Sequence, residues 1–408
     1  MRKLLAALGL VLALAGPAPA ATYYVRATAS GAGNGLTNSD AGAWKFEDVR
    51  SKSLSAGDIV EVQPGTYTGR HPTAFYGLQL GYKAGASGNP IIYRCAVRRT
   101  CIIDGGNESS RTYLVSFPDG RYLTFEGFVL QNGYSAGVGI WKDDTNDPNT
   151  VVINDIELKD SGAGDQSPGS TNHTAIFIER TSTNITVKNS YIHDIGSIGS
   201  SVKGHCIYLA GGNGARIINN VCRRPRGYGF QVEPYANIDD VKIYNNVVDD
   251  AGYGTGSRAG VVFFNETQTW TISNVDVANN IFINAASGWG VQRWRTSPNQ
   301  TYFGANVQLR NNLGFNNGGG NTVETGAAGT GTWTSTGWVG GDPLFTSPST
   351  GDYTLQAGSP ALNVGLTLTD ATPDAAGTSR PQGAGYDLGA FEFIAALRPP
   401  GVSTKGAP

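Results

Sequence analysis

Short apolar runs separated by Gly, Asn and Asp recur along most of the chain, and the clearest ends in Ile217-Ile218-Asn219-Asn220-Val221. Tyr244-Asn245-Asn246-Val247, Ala278-Asn279-Asn280-Ile281 and Arg310-Asn311-Asn312-Leu313 repeat it, and Lys188-Asn189-Ser190-Tyr191 is a near copy. Asn154-Asp155-Ile156-Glu157 and Glu126-Gly127-Phe128-Val129 are degenerate versions. Counted from Gly127 through Asp155, Asn189, Asn219, Asn245, Asn279 and Asn311, the steps are 28, 34, 30, 26, 34 and 32 residues. A period of that length marks a stacked repeat architecture. Each unit holds two or three short β-branched or aromatic runs and no amphipathic helical pattern, which excludes helical and leucine-framed repeats. The pattern therefore predicts an all-β chain, a parallel β-solenoid of about seven or more coils.

The Asn column has a structural explanation. Asn tolerates left-handed backbone at a sharp corner, and equivalent amides in successive coils can hydrogen-bond in a ladder. Residues 44–54 read as a short amphipathic helix that covers the first coil, since a solenoid needs its end closed.

The first twenty residues place Arg2 and Lys3 before an apolar run, then Ala18-Pro19-Ala20. This is the pattern of a secretory signal cut after Ala20, too short to span a membrane. The expected product is exported and monomeric. Four Cys in such a chain suit two disulfides, Cys95 with Cys101 and Cys206 with Cys222 being close in sequence. A net charge of −2 offers no field for a polyanion, so nucleic acid is not an expected partner.

Residues 56–69 (AGDIVEVQPGTYTG), 88–95 (GNPIIYRC) and 100–106 (TCIIDGG) resemble the first coils of secreted right-handed parallel β-helix proteins of the pectate lyase-like superfamily. The resemblance extends to about residue 317. It implies a right-handed helix and a carbohydrate-active protein, a polysaccharide lyase or glycoside hydrolase, although the superfamily also holds epimerases and members without catalysis. The epimerase Asp-Pro-His-Asp signature is missing, as are counterparts of the polygalacturonase Asp motifs and the pectate lyase Ca²⁺ site. Asp342-Pro343-Leu344-Phe345, Asp352-Tyr353-Thr354-Leu355, Arg380-Pro381-Gln382 and Asp387-Leu388-Gly389-Ala390-Phe391-Glu392 resemble the choice-of-anchor segment of exported bacterial β-helix proteins. The expected division is a signal (1–20), a capped β-helix (21–317), a Gly/Thr-rich loop (318–341), a segment that lids the far end (342–394) and a frayed tail (395–408).

Alternation along strands places the candidate chemistry. Aligning Ile176-Phe177-Ile178-Glu179, Ile207-Tyr208-Leu209-Ala210, Phe230-Gln231-Val232-Glu233, Val262-Phe263-Phe264-Asn265 and Val291-Gln292-Arg293-Trp294 puts the second and fourth members outside. Exposed aromatics beside carboxylates and amides suit a glycan groove. Glu179 and Glu233 fall two coils apart, roughly 9–10 Å, near the upper edge of the spacing of an inverting glycosidase pair. Lys203, His205, Tyr208 and Arg226 supply acid, base and charge-neutralising groups for chemistry on a uronate, and Tyr228, Gln231, Arg258, Asn265 and Trp294 complete a sugar-binding set. His193-Asp194, Arg223-Arg224 and Asp249-Asp250 form a second cluster at equivalent corners, with His173 and Tyr253 on the loops after them. The alternatives stay open at this point: both carboxylates as solvated surface acids, the paired charges as surface ion pairs, and His205 as a buried corner residue. No metal is required, although Asp143-Asp144-Thr145-Asn146-Asp147 is oxygen-rich enough to hold Ca²⁺. A non-catalytic glycan-binding or adhesin-type protein remains the competing function.

Overall fold

The structure is a computed structural model, and it describes residues 19–68, 77–108, 113–144, 146–162, 174–196, 204–254, 256–265, 270–295, 303–326 and 333–395. Residues 1–18 of the expected signal, residues 396–408 of the expected tail, Lys203 and His173 lie outside these residues.

Strands wind into three parallel sheets of 11, 10 and 9 strands, named I, II and III in the order one coil visits them. One coil runs Arg216–Ile218 in sheet I, Val221–Arg223 in II and Phe230–Val232 in III, and returns to sheet I at Ile238–Tyr244. This is the parallel β-helix that the repeat predicts. Val, Ile, Leu and Phe from all three sheets fill one continuous core along its axis, the arrangement expected when each coil can bury its apolar face only against its neighbours.

Two adjacent residues share the work of the I-to-II corner. The first is left-handed in seven successive coils: Gly127, Asp155, Asn189, Asn219, Asn245, Asn279 and Asn311 have φ between 50° and 83°. The second forms the continuous amide ladder. Asn220 Nδ2 donates to Asn246 Oδ1 (3.0 Å), Asn246 to Asn280 (2.9 Å) and Asn280 to Asn312 (2.9 Å), with all four residues fully buried. Each also donates to a sheet I carbonyl, of Val187, Ile217, Ile243 and Val277 in turn. A buried amide is tolerated only when its groups are paired, and here the identical neighbour pairs them.

Both ends depart from expectation. The helix expected over 44–54 is a 3₁₀ turn, Phe46–Ser51; with three residues per turn, Phe46 and Val49 share the face buried in the core. Residues 342–394 do not lid the last coil. They run back along the side, where Phe345, Tyr353, Leu355 and Leu388 pack on Val221, Val247, Ile281 and Leu313 of sheet II. Asn219, Asn245, Asn279 and Asn311 donate to carbonyls of this segment, including those of Pro373, Asp387, Leu366 and Val364. Arg380 is buried against Glu392 (2.6 Å) and donates to Asn219 Oδ1. The outer face of sheet II carries Val, Ile and Leu instead of polar residues, so it needs a cover. At the far end, Arg293 takes a core position under Phe303 and Trp333 and pairs with Glu324. Both expected disulfides form, Cys95–Cys101 and Cys206–Cys222, and the second lies inside the core.

Candidate functional site

From Asn154 onward each connection from sheet I to sheet II takes two residues, whereas those from II to III are as long in sequence as 160–173. The outer face of sheet III therefore lies between the II-to-III edge and the corners leading back to sheet I. Its register is Ile176↔Ile207↔Phe230↔Val261↔Val291. One alignment step differs from expectation. Val262 and Phe264 face outward, whereas Phe263 belongs to the core. Asn265 thereby leaves the Glu179–Glu233 column, and Phe264 takes its place. The run Val261-Val262-Phe263-Phe264 has no polar residue from which to read alternation. The usable signal was a glycine directly before the first core residue, as in Gly229-Phe230, Gly260-Val261 and Gly290-Val291. A Cβ on Gly229 or Gly260 would lie 2.6 Å from Val248 or 2.3 Å from Phe282.

The same feature settles His205. The amides of Cys206 and Ile207 both donate to Gly229 O, so the strand bulges and both side chains turn inward. His205 is left on the outer side, nearly buried, with its ring 5.6 Å from Tyr228 and 6.2 Å from Tyr208. Its Nδ1 accepts from Tyr228 N–H (2.9 Å), so the neutral ring carries its proton on Nε2.

These rings continue a file across the coils. Trp141 stacks on Tyr113 (4.9 Å), followed by Phe177 (6.5 Å from Tyr113), Tyr208 (5.5 Å from Phe177), His205 and Tyr228. Arg258 lies over Tyr228 at 5.2 Å. Gly139 makes the file possible, because a Cβ there would lie 2.5 Å from Trp141 and 2.7 Å from Tyr113. The sequence reading missed Tyr113 and Trp141, although Trp141 follows Ile140 as Glu179 follows Ile178.

Glu233 borders this file. It accepts from Tyr208 Oη (2.7 Å), Gln231 Nε2 (2.7 Å) and Tyr235 Oη (3.2 Å), a ring of donors that fits an acceptor-only carboxylate. Burial, then the charge of Glu233, raises the Tyr208 pKa well above that of a free phenol. Tyr208 is therefore held as the protonated donor of its bond to Glu233. Glu179 is two coils away with Ala210 between them, as expected, but it accepts from Lys142 N–H (3.0 Å) and Thr181 Oγ1 and lies beside Arg180. Trp294 is on the same face against Phe264 (4.2 Å).

Arg226 does not join this group. It lines a 500 Å³ cavity at the II-to-III edge with Asp160, Asp194, Arg224 and Tyr253. Beside that cavity His193 bridges Asp194 (2.8 Å) and Glu157 (3.4 Å) and stacks on Tyr191. Burial alone would lower the His193 pKa, but the two carboxylates outweigh it and raise it above 6.5. The bond from His193 is the main reason Glu157 is held at about 2. The signs follow from linkage. The His193 contribution is complete below pH 6.5 and is lost as pH rises through the raised value. That of Glu157 is complete above 4.5 and is lost as pH falls toward 2. We expect the melting temperature to fall with pH above 6.5, and the fall to be shallower in His193→Gln; equal slopes in the two proteins would refute the assignment.

Among the described residues no group of three or more His, Cys, Asp or Glu could hold a metal ion. Asp143 bonds Tyr82 and Asp147 pairs with Lys142. No described helix is long and apolar enough to cross a membrane.

No protein-family model matches the sequence, and no curated protein matches it. Solved structures do. The chain is similar to the GH136 lacto-N-biosidase from Eubacterium ramulus, with a TM-score of 0.50 and 12% identity over 76% of this chain and 67% of that one. It is also similar to a rhamnogalacturonan lyase (TM-score 0.48, 16% identity, 73% and 74% covered). A third is the A-module of a mannuronan C-5 epimerase from Azotobacter vinelandii (TM-score 0.43, 16% identity, 73% and 76% covered). At these identities the likeness concerns the fold.

Proposed function

We propose that the outer face of sheet III is a track for an extracellular polysaccharide, and that the chain cleaves the polysaccharide there as a lyase or glycoside hydrolase. The observation that carries this is the unbroken file Trp141–Tyr113–Phe177–Tyr208–His205–Tyr228 with Glu233 at its side. Sugar rings pack on aromatic faces, and coil spacing of roughly 4.8 Å sets such platforms at regular steps along the axis. The solved relatives named above include carbohydrate enzymes, which agrees with the reading at the level of fold. An exported protein with two disulfides fits an extracellular substrate.

Glu233 is the base in this proposal. In hydrolysis it takes a proton from the attacking water as the water oxygen bonds C1, the C1–O glycosidic bond breaks and the leaving oxygen takes a proton from solvent. In β-elimination it takes the C5 proton of a uronate; the electron pair forms the C4=C5 double bond, the C4–O bond breaks, and the leaving oxygen takes a proton from solvent water, whose hydroxide is neutralised by the proton Glu233 holds. Arg258 and His205, on either side of the Tyr228 ring, are the groups this reading assigns to a sugar carboxylate or hydroxyl, with Gln231, Tyr228 and Trp294 as further contacts. No cofactor enters this scheme.

One observation favours the competing reading of a glycan binder without turnover: Glu179 and Glu233 already have partners within the protein. Incubation with alginate, pectin, glycosaminoglycans and neutral glycans separates the readings. A lyase yields ultraviolet-absorbing unsaturated uronate, a hydrolase yields reducing ends without it, and a binder is retarded in a polysaccharide gel with neither product. Absence of all three across the panel would remove the proposal.

A further inference from the structure

A second left-handed column runs along the II-to-III edge, parallel to the Asn corner but on the other side of sheet II. Successive coils contribute Asn132, Asp160, Asp194, Arg224, Asp250 and Asn284, with φ from 51° to 60°. Their backbones stack directly, since Asp194 N–H donates to Arg223 O, Arg224 N–H to Asp249 O and Asp250 N–H to Ile283 O. Asn, Asp and Gly accept this backbone readily, whereas a long side chain does not. Arg224 is thus the member that the fold alone would not select, and Asn would serve the corner better.

The Arg224 side chain shows what it contributes. Its guanidinium lies 4.1 Å from the centre of the Tyr253 ring and 3.2 Å from Asp194 Oδ1. That assembly forms one end of the 500 Å³ cavity, which reaches past Asp194, Asp160 and Asn132 to Asn107. From the coil of Asn107 to that of Tyr253 is roughly 24 Å at the coil spacing, so the cavity is an elongated groove along the axis. Arg226, nearly buried, reaches into it over two glycines: a Cβ on Gly196 would lie 3.1 Å from Arg226 Cβ, and one on Gly254 3.2 Å from its Nη1.

We infer that this groove is a second saccharide site, separate from the sheet III track, which takes a neutral linear oligosaccharide with Tyr253 and Arg224 at one end. Among the described residues its lining holds two carboxylates and two guanidiniums, which leaves that lining without net charge. Amide, carboxylate and guanidinium groups spaced by coil match the alternating donors and acceptors of sugar hydroxyls. Tyr253, two-fifths exposed, offers an aromatic surface at the groove's end.

Calorimetric titration of the full chain with cellohexaose and laminarihexaose tests this, with hexagalacturonate as the acidic control. The expected result is a neutral-sugar site that weakens at least tenfold in Arg224→Asn, while the melting temperature stays level or rises because Asn suits the corner. Phe177→Ala, on the track, leaves this site intact. A neutral-sugar affinity unchanged in Arg224→Asn overturns the inference, as does the absence of neutral-sugar binding by the wild type. Should Arg224→Asn fail to fold, Tyr253→Ala decides on the same criterion. Neutral-sugar binding lost in Phe177→Ala but kept in Arg224→Asn would sink this inference and keep the track, whereas product formation from polysaccharide lost in neither variant would sink the track and leave this inference standing.

Discussion

Asn246→Ala is expected to destabilise the chain by about 3–5 kcal/mol, because it leaves two buried groups without partners. Asn246 Oδ1 receives both the backbone N–H (2.9 Å) and the side-chain amide of Asn220, and its own Nδ2 satisfies Ile217 O (2.8 Å). Its Nδ2 also donates to Asn280 Oδ1 (2.9 Å), so alanine removes four bonds at a fully buried position. Its neighbour is the control. Asn245→Gly keeps the left-handed backbone, and the Asp387 and Gly389 carbonyls that lose Asn245 Nδ2 still receive Arg380. That substitution should cost about 1 kcal/mol. Denaturant midpoints at equal m-values give the comparison. Equal losses at the two positions would mean that the ladder does not hold the corner.

Glu233→Gln is expected to reduce product formation by about 10²–10⁴-fold, the range for removing a general base, with little change in retardation by the same polysaccharide. Glutamine keeps the shape and most of the contacts to Tyr208, Gln231 and Tyr235, but it cannot accept a proton. Tyr208→Phe should have a smaller effect on rate, because a phenol held above its ordinary pKa keeps its proton in the bond to Glu233. If Glu233→Gln turns over at the wild-type rate, the reacting centre lies elsewhere on the chain. If Tyr208→Phe is the more damaging change, the assignment of positioning and base is reversed.

How far each part was legible depends on how local its cause is. The Asn-Asn corners, their spacing and the two disulfides are visible in the chain because each follows from one or two residue types meeting a backbone constraint. The signal segment and the tail are assigned on sequence pattern alone, whereas residues 318–341, read from their Gly and Thr content as a loop, continue the β-helix: Gly320–Gly326 joins sheet III, Thr334–Thr336 sheet I and Val339–Gly340 sheet II. Outward alternation placed Phe177, Tyr208, Gln231, Glu233 and Trp294 on one face, since their strands mix polar and apolar residues. It failed at Asn265, where four apolar residues in succession hide the phase and only the small residue before Val261 fixes it.

What the sequence determined by itself was a winding chain with a period near thirty residues, because left-handed corners and stackable amides are properties of Asn wherever it recurs. The tertiary structure decided the rest, since those contacts cross coils or bring distant segments together. A bulge at Cys206 and Ile207 turned His205 outward to Tyr228, and the apolar outer face of sheet II drew residues 342–394 to the side of the helix instead of its end. Arg226 was separated from Glu233 by the width of sheet III, a distance that no spacing along the chain records.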